Sequence, residues 1–320
     1  MLEGSGREET PLPFALSLLA WAERRLDGLE RRIRLASKRQ RGEPIEARVE
    51  VDWRLGDEVM ALPAFQALKQ QRGFLVHAWV RHPELLVLNP FVDSVNRLAL
   101  RPDLIVDLKR DAPMTARRRT IERAARVDLA GIVPRVYLSH AERHEPALPE
   151  LVGLGRPWVA VIPGSSQPCK TWDADRWRVV ARGLADDGAS VLELGEAGPS
   201  LGIGRSLVGR TPGVRTLARV LAQADLAVGV DAGPLHLALA VGTRAIGLFG
   251  PTDPELLYPP GDGMVALESA GGCRRCWPAR RLAYPSGVCP LARHECMEGV
   301  EVSPVLRASR RALEGGRIRT

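Results

Sequence analysis

The segment that decides the fold class covers residues 226–249 and reads LAVGVDAGPLHLALAVGTRAIGLF. Residues 226–230 are an apolar run that predicts a buried strand, residues 234–241 predict a helix, and residues 244–249 predict a second buried strand. A strand, a helix and a strand in succession predict parallel neighbours joined by a crossover helix. The segment therefore indicates an α/β fold with a parallel, doubly wound sheet.

The same alternation extends in both directions along the chain. Further strands are predicted at residues 47–53, 74–80, 104–108, 158–163 and 189–194, and further helices at residues 174–187 and 216–223. A tight turn is predicted at residues 55–57, and it leads into a helix that ends near residue 71. Residues 140–155 lose this periodicity and contain several prolines and glycines, which is typical of a linker. We therefore expect two Rossmann-like domains, residues 46–150 and 151–320, that face each other across a cleft.

An N-terminal helical extension, residues 1–45, precedes these domains. Apolar residues recur with helical spacing over residues 12–41, and arginines cover the rest of the predicted helix. Two interpretations are open: the helix packs on the body of the protein, or it is a basic surface helix that holds the protein on an anionic membrane leaflet.

Composition narrows the class of protein. Of the 320 residues, 45% are apolar and 26% are charged, as in soluble globular proteins. The charge-free stretch at residues 10–22 is shorter than the ~20 residues of a membrane span and has no basic region before it, so we expect a cytoplasmic protein. A net charge of +7 predicts an anionic partner, such as nucleic acid, a phosphorylated substrate or a membrane surface.

Chemically useful residues follow three predicted strands. Asp57 opens a helix after the first strand, as a favourable acid at a helix N-terminus or as a general base. Ser165, Ser166 and Lys170 follow the strand at 158–163, where hydroxyls and an ammonium suit a phosphate, although an ordinary polar loop is the alternative. Only four of the 45 basic residues are lysines, so a lysine here is less expected by chance.

The third segment covers residues 229–236. Gly233 permits close backbone approach, a proline follows at a position that helices favour, and the positive end of the new helix would suit a diphosphate. His236 is either a packed core histidine or part of this site. Neither G-x-G-x-x-G nor a Walker motif occurs, which argues against a standard dinucleotide or P-loop site.

Together these motifs resemble glycosyltransferase family 9, the bacterial ADP-heptose:lipopolysaccharide heptosyltransferases. The resemblance covers about residues 47–310 and is strongest in the second half. Its motifs are Gly56-Asp57, Pro163-Gly164-Ser165-Ser166 with Lys170 and Trp172, Asp231-Ala232-Gly233-Pro234-Leu235-His236, and Gly250-Pro251-Thr252-Asp253-Pro254. The family implies a GT-B fold with an N-terminal acceptor domain, a C-terminal nucleotide-sugar domain and a final crossover helix.

The resemblance also implies roles for individual residues. Asp57 takes the position of the catalytic base. The residues at donor-binding positions are Ser165, Ser166, Lys170, Glu196, Asp231, Ala232, Gly233 and His236. Ala232 departs from the threonine or serine usual in the family, so one hydroxyl contact is lost. The implied activity is inverting transfer of a heptose or related sugar from an ADP-sugar to a lipopolysaccharide core or other glycan, with no cofactor required for catalysis.

Four of the five cysteines lie close together in a loop at residues 273–296. Their spacing is near that of zinc sites, so they predict a structural zinc or iron, with buried or free thiols as the alternative. These candidate ligands are Cys273, Cys276, Cys289 and Cys296. Cys169 is interpreted as a small non-catalytic residue.

The expected partners are an ADP-sugar donor, an anionic glycan or glycolipid acceptor, and the cytoplasmic face of the inner membrane. Two other functions remain: a basic zinc-ribbon protein that binds nucleic acid, and a non-catalytic scaffold related to family 9. Nucleic-acid binding is less favoured, because the basic residues are dispersed and no reader motif is present.

Overall fold

The computed structural model of the chain describes residues 28–51, 54–97, 101–108, 117–196, 200, 202, 204–258, 263–271, 273–276, 289, 291 and 294–315. Its N-terminal sheet has four parallel strands, in the order β3-β2-β1-β4. The strands are β1 (Glu46–Val51), β2 (Leu75–Val80), β3 (Ser94–Val95) and β4 (Leu104–Asp107). The chain runs from β1 through β2 to β3 on one side and then crosses to β4 on the other side of β1. The strand order therefore reverses between β1 and β4, and a crevice forms at their carboxyl ends.

Three helices accompany this sheet: α1 at residues 28–41, α2 (Leu55–Arg72) and α3 (Arg117–Ala125). Helix α2 buries an apolar face that includes Val59, Phe65 and Leu68. It ends at Gly73, whose φ of 62° closes the last turn in the left-handed region that glycine tolerates. The end of α2 lies within one residue of the predicted end near residue 71, but the helix already begins at Leu55, where a tight turn was predicted.

The second sheet has six parallel strands, in the order β10-β9-β8-β5-β6-β7. They are β5 (Trp158–Ile162), β6 (Ser190–Glu193), β7 (Arg205–Ser206), β8 (Leu226–Val230), β9 (Ala245–Phe249) and β10 (Met264–Glu268). Strands β5, β8 and β9 are buried along their whole length, which explains their apolar runs. If β5 is taken as the first strand, this order is the strand order of dinucleotide-binding folds. The strand order reverses between β5 and β8, which is the topological switch point of the sheet.

The remaining helices are mostly short. They are α4 (His140–His144), α5 (Ala174–Asp186), α6 (Gly213–Gln223), α7 (Gly233–Ala240), α8 (Pro254–Leu257), α9 (Glu295–Glu298) and α10 (Val302–Glu314). Among the described helices, none combines the length and apolar composition that a bilayer crossing requires.

The segment predicted as a linker contains a short helix. The linker predicted at residues 140–155 contains α4, which packs on the second domain: Arg215 pairs with Glu142, and Gln223 donates to the Glu142 and Glu145 carbonyls. These contacts connect α4 to α6 of the second domain, and the domain boundary at residue 150 stays a prediction. Polar side chains make these contacts, so hydrophobic periodicity in the sequence could not predict them.

The last described helix packs on the second domain. Helix α10 packs against α5 and the second sheet: Leu306 lies against Gly183, and Arg310 pairs with Asp187 at 2.7 Å. These contacts are with the second domain, and the return of a final helix to the first domain stays a prediction. Of the predicted N-terminal helix, only residues 28–41 are described, and residues 12–27 lie outside the described part of the chain.

Candidate active site

The switch point of the second sheet brings two predicted site residues together. Lys170 ends a short 3-10 helix (Pro168–Lys170) after β5, and Asp231 follows β8 directly. Because β5 and β8 are hydrogen-bonded neighbours, the loops after them meet, and Lys170 Nζ lies 2.6 Å from Asp231 Oδ2. Both side chains are largely buried, with 11% and 3% of their surface exposed.

Asp231 is the centre of a buried polar cluster. Besides Lys170, Thr252 Oγ1 donates to Oδ2 at 2.7 Å and His236 Nε2 lies 3.0 Å from Oδ1. Burial by itself raises the pKa of the Asp231 carboxyl, but the Lys170 charge and the hydrogen bond from His236 outweigh it and hold the pKa well below its usual range. The carboxylate is therefore ionised.

The imidazole of His236 is fixed from both sides. An ionised carboxylate only accepts hydrogen bonds, so Nε2 carries the hydrogen directed at Asp231. The Tyr258 hydroxyl contacts Nδ1, and the Tyr258 ring stacks on the imidazole with 5.3 Å between centroids. Tyr258 is buried and lies just after α8, outside the sequence motifs.

Two helix N-termini meet at this cluster. A Cβ on Gly56, in the first turn of α2, would lie 2.9 Å from His236 Cδ2, and a Cβ on Gly233, at the start of α7, would lie 3.0 Å from Leu55 Cβ. Glycine at both positions is therefore what lets the first domain approach the second so closely. Neither helix has a side-chain cap at its N-cap residue, Arg54 in α2 and Ala232 in α7, so both positive ends remain uncapped by side chains.

Asp57 lies in the first turn of α2 and is half-buried, one residue from the contact with His236. Its neighbour Glu58 is buried and has a structural role. Glu58 accepts hydrogen bonds from the backbone N–H groups of Arg81 and His82, and its Oε2 lies 2.7 Å from His82 Nδ1. This hydrogen bond raises the pKa of His82. Glu58 thus fixes the loop after β2, while Asp57 borders the cleft between the domains.

The two serines of the predicted phosphate loop have separate partners. Ser165 Oγ accepts from the Gln167 backbone N–H at 3.2 Å. Ser166 Oγ accepts from Arg54 Nη1 at 2.8 Å, which links the first domain to the loop after β5. Arg54 is exposed, and no carboxylate among the described residues lies within ion-pair distance of it. The sequence reasoning missed Arg54, although it stands two residues before the Gly56-Asp57 motif.

Glu196, the candidate contact for the adenosine end of a donor, lies apart from the Asp231 cluster. It is exposed and follows β6, the strand on the far side of β5 from β8. The buried carboxylate of this region is Glu193 within β6, which accepts from Ser200 Oγ at 2.9 Å.

The described cysteines lie next to the cluster as well. Cys276 and Cys289 pack against buried Cys169, the residue before Lys170. Burial, together with the neighbouring thiols Cys273, Cys276 and Cys289, raises the pKa of Cys296 to about 12. Among the residues that the structure describes, no group of three or more His, Cys, Asp or Glu side chains is arranged to hold a metal ion. The described geometry therefore does not fit the predicted metal centre as it stands.

Two parallel sheets whose crevices face one cleft define a GT-B glycosyltransferase fold, and solved structures agree. TibC from enterotoxigenic Escherichia coli, described as an iron-containing dodecameric glycosyltransferase, aligns with a TM-score of 0.68 and 16% identity over 84% of this chain and 78% of its own. ADP-heptose LPS heptosyltransferase II of E. coli aligns with a TM-score of 0.61 and 14% identity over 85% of this chain and 100% of its own.

The family model for glycosyltransferase family 9 (heptosyltransferase) matches residues 103–281, more than half of the chain. The chain belongs to this family, as the motifs indicated.

Curated relatives match a shorter part of the chain. Lipopolysaccharide heptosyltransferase 1 of Pseudomonas aeruginosa is 32% identical over 130 residues, which is 38% of this chain and 37% of that protein. Lipopolysaccharide heptosyltransferase 3 of E. coli is 31% identical over 127 residues, 35% of this chain and 37% of that protein. The match thus spans little more than a third of the length of these relatives.

Proposed function

We propose that this protein is an inverting glycosyltransferase that moves a heptose, or a related sugar, from an ADP-sugar to the core of lipopolysaccharide or to another glycan. The observation that carries this proposal is the meeting of the Lys170–Asp231 pair with the N-termini of α2 and α7, beside Asp57. Two curated relatives are lipopolysaccharide heptosyltransferases, and a solved structure of TibC contains ADP-D-β-D-heptose, which supports the choice of donor and acceptor.

Donor binding rests on positive charge at the switch point of the second sheet. The diphosphate would contact Lys170, the Ser166 hydroxyl and the N-terminal end of α7. Lys170 also balances the charge of Asp231, so a further cation is needed for the diphosphate. Arg54 fits this need, because its observed partner is the neutral hydroxyl of Ser166 and no described carboxylate pairs with it.

The remaining donor-binding residues shape the site around that charge. Asp231 and His236 orient each other and would contact the sugar end of the donor. Ala232 and Gly233 contribute backbone N–H groups without bulk, and Ser165 holds the loop after β5. Glu196, which is exposed and follows β6, would contact the adenosine end.

Asp57 acts as the general base in the proposed reaction. It takes the proton from the acceptor hydroxyl, whose oxygen attacks the anomeric carbon as the bond from that carbon to the diphosphate oxygen breaks. The electron pair of the broken bond leaves with ADP. Because the acceptor oxygen attacks from the face opposite the leaving diphosphate in a single displacement, the anomeric centre inverts and no covalent enzyme intermediate forms. The step needs no cofactor, because fixed cations and helix N-termini stabilise the leaving diphosphate.

The experiment that tests the function is a transfer assay with purified protein, ADP-heptose and a deacylated lipopolysaccharide core. Release of ADP together with a heptosylated product supports the proposal, and NMR of the product should show inversion at the anomeric carbon. UDP-glucose serves as the control donor. Transfer from UDP-glucose but not from ADP-heptose would contradict the proposed donor.

The location proposed for this activity is the cytoplasm, where a nucleotide sugar and a growing glycolipid core are both available. Nucleic-acid binding is not favoured by the family membership. A non-catalytic scaffold is not favoured either, because Asp57 and Lys170 are both retained.

The cysteine loop is the second part of the proposal. Cys273, Cys276, Cys289 and Cys296 would hold a structural zinc or iron beside the donor loop. Their zinc-like spacing supports this, as do the contacts of Cys276 and Cys289 with Cys169 and the description of TibC as iron-containing. Among the described residues, these thiols do not form a group that could hold a metal ion.

Metal analysis of the purified protein tests this second part. We expect close to one zinc or iron per chain, and Cys276→Ser should lose the metal and some thermal stability, because metal binding is coupled to folding. Cys169→Ser is the matched control and should keep the metal. A metal-free wild-type protein with the same melting temperature before and after chelation would contradict the proposal.

A further inference from the structure

Helix α1, residues 28–41, presents an unusual face to solvent. Leu29 and Ile33, one turn apart on the same side, are 55% and 62% exposed. Ala36 continues this stripe, and the exposed residues Arg32 and Arg39 flank it. A surface helix normally turns its large apolar side chains toward the core. In α1 these two side chains point outward instead.

The opposite side of α1 is held by charge. Arg34 Nε and Lys38 Nζ each lie 2.8 Å from one carboxylate oxygen of Asp103, whose side chain is fully buried. Asp103 also accepts from the Glu46 backbone N–H at 2.9 Å. Burial raises the pKa of the Asp103 carboxyl, but these hydrogen bonds and the Lys38 charge outweigh it and lower the pKa. This double ion pair fixes which side of the helix faces outward.

From this arrangement we infer that α1 docks on an anionic lipid bilayer. Leu29 and Ile33 enter the interfacial region, and Arg32 and Arg39 contact the headgroups. Of the six basic residues at 28–41, Arg34 and Lys38 pair with Asp103 and Arg41 pairs with Glu43. The other three, Arg31, Arg32 and Arg39, outnumber the one acid, Glu30, and complement an anionic leaflet. A second copy of this face would instead bring like charges together.

The position of α1 leaves the proposed active site open. Its anchor points, Asp103 and Glu46, lie at the amino ends of β4 and β1, whereas Asp57 follows the carboxyl end of β1. A bilayer against α1 therefore approaches the first domain from the edge opposite the cleft. The inference goes beyond the proposed activity and does not depend on it.

Co-sedimentation of the full chain with vesicles tests the inference. We use phosphatidylcholine vesicles with and without phosphatidylglycerol, at low and high salt. The wild type should bind only the anionic vesicles, and high salt should weaken binding because it screens the headgroup charge. Leu29→Gln/Ile33→Gln should lose most of the bound fraction. Arg32→Gln/Arg39→Gln should weaken partitioning by about five-fold for each arginine.

Val179→Gln/Arg182→Gln on α5 is the matched control, because it removes one exposed apolar residue and one exposed arginine from another surface helix. It should bind like the wild type, and all variants should keep the wild-type melting temperature. Equal binding of wild type and Leu29→Gln/Ile33→Gln would overturn the inference. So would a wild-type dimer that this variant converts to a monomer without any vesicle binding, since the stripe would then contact a second copy.

Discussion

Asp231 shows how one buried carboxylate can organise a binding site. It accepts hydrogen bonds from side chains on three separate segments: Lys170 after β5, His236 in α7 and Thr252 after β9. Removing one partner of a buried pair typically costs about 3–5 kcal/mol, because the other charge stays buried without compensation. Lys170 therefore supports the fold as well as the proposed diphosphate site.

Variants of Lys170 and Arg54 separate these two roles. Lys170→Ala should lower ADP affinity by about 1.5–3 kcal/mol, the range for hydrogen bonds to charged groups, and should also lower stability. Arg54→Gln should lower ADP affinity by a similar amount but leave stability within about 0.5 kcal/mol, because its side chain is exposed. Calorimetry with ADP and denaturant unfolding measure the two quantities.

The control for this comparison is Arg72→Gln, at the other end of α2, which should change neither ADP affinity nor catalysis. Wild-type ADP affinity in a folded Lys170→Ala variant would remove the proposed phosphate cradle. If only Arg54→Gln kept the wild-type ADP affinity, the proposed phosphate cradle around Lys170 would stand. Only the proposed contribution of Arg54, from the first domain, would then be contradicted.

Sequence motifs located some of these residues and missed others for a physical reason. Asp231 and His236 are five residues apart, so one local motif contains both. Tyr258 is 22 residues from its partner His236, and Arg54 is 112 residues from Ser166. Such pairs meet only when the loops at the strand ends are assembled in space.

At the scale of elements, α4 is a five-residue helix whose position depends on polar contacts. Ser139 and Glu142 form a reciprocal capping box at its start. Arg215 of α6 also binds Glu142 through two hydrogen bonds, each of 2.7 Å. The hydrogen bonds from Arg215 are the main reason that the pKa of Glu142 is lowered to about 2.

This shift predicts a pH dependence of stability. Because the pKa of Glu142 is lower in the folded state than its ordinary value of 4.5, the ion pair stabilises the fold above pH 4.5. That contribution is lost as the pH falls from 4.5 toward 2. Glu142→Gln should cost about 1 kcal/mol near neutral pH, and its difference from the wild type should vanish toward the acid end.

Denaturant unfolding across this pH range measures the difference. Asp175→Asn removes an exposed pair on α5 and should follow the wild-type curve within about 0.5 kcal/mol at every pH. A difference between Glu142→Gln and the wild type that stays constant from pH 7 to pH 2 would contradict the assignment.

Regular elements could be predicted closely from the sequence. Hydrophobic periodicity placed β8 at the observed residues, α5 within one residue at each end, and the end of α2 within one residue. Periodicity carried no information about α4, because a capping box and an arginine pair hold that helix. It also left the orientation of α1 open, since the buried Asp103 that fixes it lies more than sixty residues away.

At the scale of the whole molecule, the alternating strands and helices predicted two doubly wound sheets, and both are present with parallel strands. The approach of the two domains was not predictable in the same way. It depends on Gly56 and Gly233 lying opposite each other, and nothing in either local motif specifies that contact. The contact brings Asp57 close to the proposed donor site, which is the central feature of the proposed mechanism.

The rate of heptose transfer by Asp57→Asn, compared with the wild type at saturating ADP-heptose and deacylated core acceptor, tests this feature most directly. The substitution keeps the shape of the side chain and removes the proton acceptor. We expect turnover to fall by ~10²–10⁴, the usual contribution of general base catalysis, while ADP affinity measured by calorimetry stays near the wild-type value. Wild-type turnover by a folded Asp57→Asn variant would contradict the proposed mechanism.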